Sequence, residues 1–179
     1  NSAKTGRMSV SSPPLQQLPR GDWRVRACLI PDAGETLVTI DWSNIEVRVM
    51  AYLANETKLI DAFIDGANIH DAVAESLFGP SFTPENRATA KSTVFAKIYG
   101  AGPRKLAKTA GLSEAQAKTA LDKLSMKYPR LQRWSSQLVE RCRIVREPIR
   151  TVTGRRLPIE KHREYTITNH ITQSTAADL

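Results

Sequence analysis

Cysteine is scarce in this 179-residue chain. Its two cysteines, Cys28 and Cys142, are too few for a disulfide framework or a zinc-ligand set. That usage points to a reduced, cytoplasmic setting. No apolar run approaches the roughly 20 residues a membrane-spanning helix needs, so no membrane partner is expected. The first residues, Asn1-Ser2-Ala3-Lys4-Thr5-Gly6-Arg7, hold neither an apolar signal core nor an initiator Met. Nine glycines and ten prolines are too few for a collagen-like or low-complexity chain. Acidic charge is the other shortage: 18 Asp and Glu face 26 Lys and Arg, a net charge of +8. Such a surplus favours a polyanionic partner, most often nucleic acid, although charge alone does not establish one.

What remains is the composition of a folded chain, 41% hydrophobic and 25% charged. The length suits one domain or pieces of two, and buries roughly two thirds of the unfolded surface. The sequence stops at Asp178-Leu179, inside what reads as a regular segment, so a piece of a longer protein is expected.

Residues 1–34 are rich in Ser, Pro, Gly and Gln. Pro13, Pro14, Pro19 and Pro31 forbid a long helix there. Arg7, Arg20, Arg24 and Arg26 make the segment basic, and residues 25–30 read as extended. Thr36-Leu37-Val38-Thr39-Ile40 reads as a short buried strand ending at Asp41. Ser43-Asn44-Ile45-Glu46 matches a capping box opening a helix, with Ile45, Val49 and Leu53 at helical spacing behind it. Helices are then predicted over residues 58–65, 69–78 and 84 to about 98. Further helices are expected from Pro103 to Gly111, after the capping box Ser113-Glu114-Ala115-Gln116, and from Pro129 onward. The last of these places Leu131, Trp134, Leu138, Cys142 and Val145 on one face. Residues 151–157 read as a hairpin turning at Gly154. Residues 165–179 are ambiguous: Thr166, Ile167, Thr168, Ile171 and Thr172 favour strand, Ala176 and Ala177 favour helix.

Arg87, Lys91, Phe95 and Tyr99 stand four residues apart in the helix after Pro84. Each step turns about 400°, so the row drifts only about 40° per step. Two cations followed by two rings suit a triphosphate at one end and a stacked base at the other. Spacing alone favours the plainer alternative, a snorkelling basic face with the rings in a core. Asp41, at a strand–helix junction, suits a hard cation such as Mg²⁺ or simply a helix N-terminus. Glu46 has an equally good role as the capping partner of Ser43. His70 alone reads as a packed or surface residue.

Together the motifs resemble a known family. Asp41-Trp42-Ser43-Asn44-Ile45-Glu46-Val47-Arg48 resembles the first catalytic motif of family A DNA polymerases, Asp-Tyr-Ser-Gln-Ile-Glu-Leu-Arg. Arg87-x3-Lys91-x3-Phe95-x3-Tyr99-Gly100 is similar to that family's nucleotide-binding helix. Thr5-Gly6-Arg7-Met8-Ser9 with Leu15-Gln16-Gln17-Leu18-Pro19, Thr151-x-x-Gly154-Arg155-Arg156 and Gln173-Ser174-Thr175-Ala176-Ala177-Asp178 resemble three further blocks, in the family's order.

The resemblance implies an α+β fold: mostly helical fingers with pieces of an antiparallel palm sheet, an incomplete fragment of a polymerase right-hand fold. Residues 1–47 and 158–179 would be palm segments and 48–157 the fingers, which close over nucleotide. Residues 165–179 would then be helical. The implied activity is template-directed DNA synthesis, by deoxynucleotidyl transfer to a primer 3′-hydroxyl with two Mg²⁺ ions. Primer–template DNA and deoxynucleoside triphosphates would be the partners, and the protein would be monomeric. Asp41, Arg87 and Lys91 would be catalytic, with Asp41 and the Trp42 carbonyl on metal. Arg87, Lys91 and His70 would meet the triphosphate. Glu46 would pack beneath the sugar and exclude a 2′-hydroxyl, Phe95 would stack on the new base, and Tyr99 would sit at the template base. Arg7 and Gln173 would contact primer–template. Phosphoryl transfer needs little beyond positioning and charge stabilisation, and backbone contacts by the remaining basic residues need read no sequence.

Trp42, Asn44, Ala96, Tyr165 and Ser174 stand where the family commonly has Tyr, Gln, Gly, Arg and Gly. The family's third motif, His-Asp-Glu, with its second metal-binding Asp, has no match here, and Asp178 is no substitute. The isolated 179 residues are therefore expected to be inactive. The alternatives are a non-catalytic nucleic-acid-binding module, indifferent to triphosphates, and a metal-dependent nuclease, which needs several clustered acids.

Overall fold

Proline, glycine and capping side chains punctuate the middle of the chain, and the backbone breaks where they stand. The computed structural model describes residues 3–19, 23–145 and 147–179. Arg20, counted in the basic N-terminal segment, lies outside them. The helices are α1 (Trp23–Arg26), α2 (Ile45–Leu53), α3 (Thr57–Ile64), α4 (Ile69–Phe78), α5 (Pro84–Ile98), α6 (Pro103–Ala110), α7 (Glu114–Lys127), α8 (Pro129–Ile144) and α9 (Ile167–Ala177). One antiparallel pair, β1 (Ile149–Arg150) and β2 (Arg156–Leu157), sets Ile149 opposite Leu157. The fold is therefore mostly helical with a small antiparallel sheet, the class expected.

Local chemistry explains the helix starts. Asn68 Oδ1 accepts from the N–H groups of His70 and Asp71, at 3.0 and 3.4 Å, and opens α4. Thr83 and Asn86 satisfy each other's backbone N–H groups at the start of α5, with Pro84 in the first helical position. Ser113 and Gln116 do the same for α7. Glu56 provides a non-local version. Its buried carboxylate, 1% exposed, accepts from the N–H groups of Arg130 and Leu131 at 2.9 and 3.2 Å. It caps α8 from 74 residues away. Burial, and then the Glu56 charge, push the neighbouring Tyr128 phenol up to about 12.

The main core joins α2, α3, α4, α5, α7 and α8 through Val47, Met50, Leu59, Ile69, Val73, Val94, Ile98, Leu124 and Leu131. Full burial of such a side chain contributes about 1.5–3 kcal/mol. Ala90 admits α4 close to α5 within this core. Ala96, Leu106, Ala107 and Ala117 form a second cluster among α5, α6 and α7. Cys142, Leu157, Ile167 and Ile171 form a third, seating α9 and the hairpin on α8. Lys123 and Lys127 of α7 donate to the Leu77 and Ala72 carbonyls of α4, at 3.1 and 2.6 Å. These pairs tie α7 to α4.

Four expectations are corrected. Residues 36–40 form no strand and lie exposed, Ile40 at 88%. A strand needs a ladder partner and a covering face, and no described strand pairs with this segment. Residues 25–30 are not extended: α1 ends at Arg26 and irregular backbone follows. Ser43 and Glu46 make no capping box. Asn44 is the residue before α2, its side chain does not cap, and Glu46 is engaged elsewhere. Val145 follows α8 as an exposed residue, while Leu131, Trp134, Leu138 and Cys142 pack inward. The ambiguous end is helical, as α9. Its Thr168, Thr172 and Thr175 are buried, so packing overrides their strand propensity. No helix among the described residues is long and apolar enough to cross a membrane.

Candidate functional site

The four-residue row on α5 forms one edge of the site. Phe95 and Tyr99 stack with ring centroids 6.0 Å apart and planes 14° apart. Both rings are partly buried at the edge of the main core. The rings touch the core, as the plainer alternative has it, and still keep an open side. Arg87 pairs with Asp71 of α4, Nε to Oδ1 at 2.5 Å. Lys91 is exposed. A groove of about 310 Å³ opens beside the row, lined by Lys91, Phe95, Tyr99, Lys105, Leu106 and Thr109. It combines two stacked rings with two ammonium groups.

His70, in the first turn of α4, is 5% exposed. Its ring lies 6.0 Å from that of Phe95, and its Nε2 is 2.9 Å from Asn44 Oδ1. Its Nδ1 is buried without a hydrogen-bond partner among the described residues. Burial lowers its pKa, Lys91 and Arg87 lower it further, and Asp71 opposes them. The imidazole is therefore neutral at pH 7.

At the aromatic end of the row Glu46 gathers two other predicted residues. Glu46 is 6% exposed. Tyr99 Oη donates to its Oε2 at 2.7 Å, and Arg7 pairs with its Oε1. Gln173 acts on the Tyr99 hydroxyl from α9. Burial raises the Tyr99 pKa, and the bond and charge of Glu46 raise it further, against Gln173 and Arg7.

Arg7 is aimed by the turn before it. Gly6 has φ +78°, and a Cβ there would lie 2.5 Å from the Arg155 guanidinium. Arg155 in turn grips Asp178, Nε to Oδ1 at 3.0 Å, and Thr151 and Thr153 also donate to that carboxylate. Arg155 and the two hydroxyls hold the Asp178 carboxyl below the usual carboxylate range. Segments around residues 5–7, 46, 99, 151–155 and 173–178 are thus knit into one assembly.

Asp41 and Trp42 stand apart from it. Both are exposed, Trp42 at 71%, on irregular backbone before α2. Behind them Arg48 donates to the Ser43 carbonyl at 3.0 Å and lies 4.3 Å from the centre of the Phe63 ring. No group of three or more His, Cys, Asp or Glu side chains converges among the described residues. Asp41 is a suitable hard oxygen donor, but one donor is not a metal site. The described residues do not fit two Mg²⁺ ions on their own.

Sequence reasoning missed three partners: Asn44 on His70, Asp71 on Arg87 and Arg155 on Asp178. None carried a local signal, since the three pairs act across 26, 16 and 23 residues.

The geometry defines a helical scaffold with a cation-and-ring row, a carboxylate hub and a separate exposed acid. The model of DNA polymerase family A matches residues 1–179. The chain belongs to DNA polymerase family A. It is 36% identical over 179 residues to a DNA polymerase of Mycobacterium phage D29, covering 99% of this chain and 29% of that protein. It is 34% identical to DNA polymerase I of Chloroflexus aurantiacus, covering 99% of this chain and 20% of that one. Among solved structures it resembles the polymerase domain of Pol1 from M. smegmatis, in complex with DNA primer-template and dNTP. The TM-score is 0.78 at 27% identity, over 98% of this chain and 32% of that one. The chain spans less than a third of each of these relatives.

Proposed function

We propose that this chain forms the nucleotide-receiving part of a template-directed DNA polymerase, with residues 48–157 as fingers and 1–47 and 158–179 as palm segments. The observation that carries the reading is the α5 row. Arg87, Lys91, Phe95 and Tyr99 share one edge, with His70 beside it and Glu46 at its end.

Each residue then has a physical task. Arg87 offers a planar fork of donors to phosphate oxygens, and exchanges Asp71 for the nucleotide to do so. Lys91 offers a compact point charge. Their positive charge, fixed on a rigid helix, stabilises the charge that spreads over a transferring phosphoryl group. The Phe95 ring supplies a stacking face for the new base. Glu46, held by Arg7 and Tyr99, is a fixed wall beneath the sugar that leaves no room for a 2′-hydroxyl. Tyr99 marks the template-base position. Arg7 and Gln173, at the same hub, face the primer–template. Asp41 contributes a carboxylate ligand for Mg²⁺ and the Trp42 carbonyl a second oxygen.

The test is Mg²⁺-dependent primer extension by the full-length polypeptide that carries this sequence, beside Asp41→Ala. A loss of at least about three decades of rate, about 4 kcal/mol of barrier, with DNA binding retained is expected. Extension that survives the change sinks the reading. Binding of DNA that ignores triphosphates and Mg²⁺ altogether would instead indicate a non-catalytic nucleic-acid-binding module.

A further inference from the structure

Asn44 occupies the position just before α2, where an Asn side chain ordinarily caps the first turn. It makes no capping bond. Its backbone is left-handed, φ 56° and ψ 31°, a conformation Asn tolerates better than most residues. The carboxamide is spent elsewhere. Nδ2 donates to Ser43 Oγ at 3.3 Å, and Oδ1 lies 2.9 Å from His70 Nε2.

His70 depends on that contact. Its backbone N–H is taken by Asn68, and one side of its ring faces Phe95. Asn44 is the one hydrogen-bond partner of its ring among the described residues, because Nδ1 has none. A neutral imidazole carries its proton on one nitrogen, and the partner of the other end selects which. An oxygen facing Nε2 selects Nε2–H. Asn44 also spans 26 residues, tying the segment that bears Asp41 to the helix that bears His70.

We propose that Asn44 is a positioning residue for His70. It fixes the imidazole against Phe95 in the Nε2–H tautomer, and so sets the ring in place for a nucleoside triphosphate arriving on the α5 row. The inference rests on the assignment of His70 to the incoming nucleotide. The neighbouring charges suit it: Arg87 and Lys91 on α5 and the burial of the ring keep it neutral, against Asp71.

The experiment is a double-mutant cycle in the full-length polymerase that carries this sequence. Asn44→Ala, His70→Ala and the pair are compared by KM and kcat for a deoxynucleoside triphosphate in primer extension. Asn44→Ala should raise KM about 3- to 10-fold, the effect of one lost hydrogen bond. The double variant should be no worse than His70→Ala alone, because Asn44 acts through His70. Asn44→Gln, which restores a carboxamide oxygen, should recover most of the loss. Histidine-labelled protein gives a readout that a merely structural role would not move. Long-range proton–nitrogen spectra should show the Nε2–H tautomer for His70 in the parent and in Asn44→Gln, and a tautomer mixture in Asn44→Ala. If His70→Ala raises KM while Asn44→Ala is silent or strictly additive, the inference is wrong and the nucleotide reading stands. If His70→Ala itself leaves KM unchanged, the assignment of His70 to the nucleotide falls, and this inference with it.

Discussion

Replacing Tyr99 by Phe removes one hydroxyl and leaves the stack on Phe95 in place. That hydroxyl donates to Glu46 Oε2 at 2.7 Å, and Glu46 is almost fully buried. A hydrogen bond to a charged acceptor contributes about 1.5–3 kcal/mol. Arg7 stays on the other carboxylate oxygen, but its side chain is half exposed, so its contribution is small and unchanged. The Phe ring also no longer carries a polar group into a partly dry site, which offsets part of the loss. The expected cost is about 1–2 kcal/mol. Urea unfolding of the 179-residue chain measures it, and a cycle with Glu46→Gln isolates the pair, with a coupling of about 1 kcal/mol expected. The pH dependence has a definite sign. The folded pKa of Tyr99 is raised, so its contribution is complete below the unfolded value, about 10. It is lost as pH rises through the folded value. The Phe variant lacks that alkaline loss. A coupling below about 0.3 kcal/mol, or identical alkaline profiles, would refute the hub as drawn.

Other outcomes follow from the same structure. Glu56→Ala should destabilise the chain by about 3 kcal/mol, because two N–H groups of α8 lose their acceptor inside the protein; Glu56→Gln should cost about 1 kcal/mol. Thermal unfolding separates the two. Tyr128, pushed up to about 12 from 10.0, should take about 2 kcal/mol out of stability between those pH values after allowance for solvent screening. Tyr128→Phe should flatten that part of the profile in denaturant titrations at alkaline pH. Gly6→Ala should cost about 1–2 kcal/mol for its left-handed backbone. It should also displace Arg155 from Asp178, visible as a rise in the depressed Asp178 pKa by carboxylate NMR.

Helix limits were legible because their causes are local. Asn68, Thr83-Pro84 and Ser113 act on N–H groups two or three residues away, and glycine or proline stops each helix nearby. The α5 row was legible for the same reason, since a helix brings residues four apart onto one face. Residues 36–40 failed on the opposite ground: a strand is made by its partner, and nothing within the segment reports whether one is there. The capping box at 43–46 failed by competition. Its spacing is correct, but Tyr99 and Arg7 reach Glu46 from 53 and 39 residues away and hold it. Glu56 on α8 and Asn44 on His70 are invisible for that reason too, since a side chain's distant partner leaves no periodicity. Asp41 was picked out by its motif, yet in the structure it stands exposed and in no cluster of three or more ligating side chains among the described residues.

The central claim is that the Arg87–Lys91 edge of α5 receives the triphosphate of an incoming nucleotide. The direct measurement is the dependence of primer extension on deoxynucleoside triphosphate concentration in the full-length polymerase, for the parent, Arg87→Ala and Lys91→Ala. Each variant should lose at least about tenfold in kcat/KM, about 1.4 kcal/mol, while its affinity for primer–template DNA stays within about twofold of the parent. Unchanged nucleotide kinetics, or a loss that tracks DNA affinity alone, would contradict the claim and leave the row as a basic face of the core.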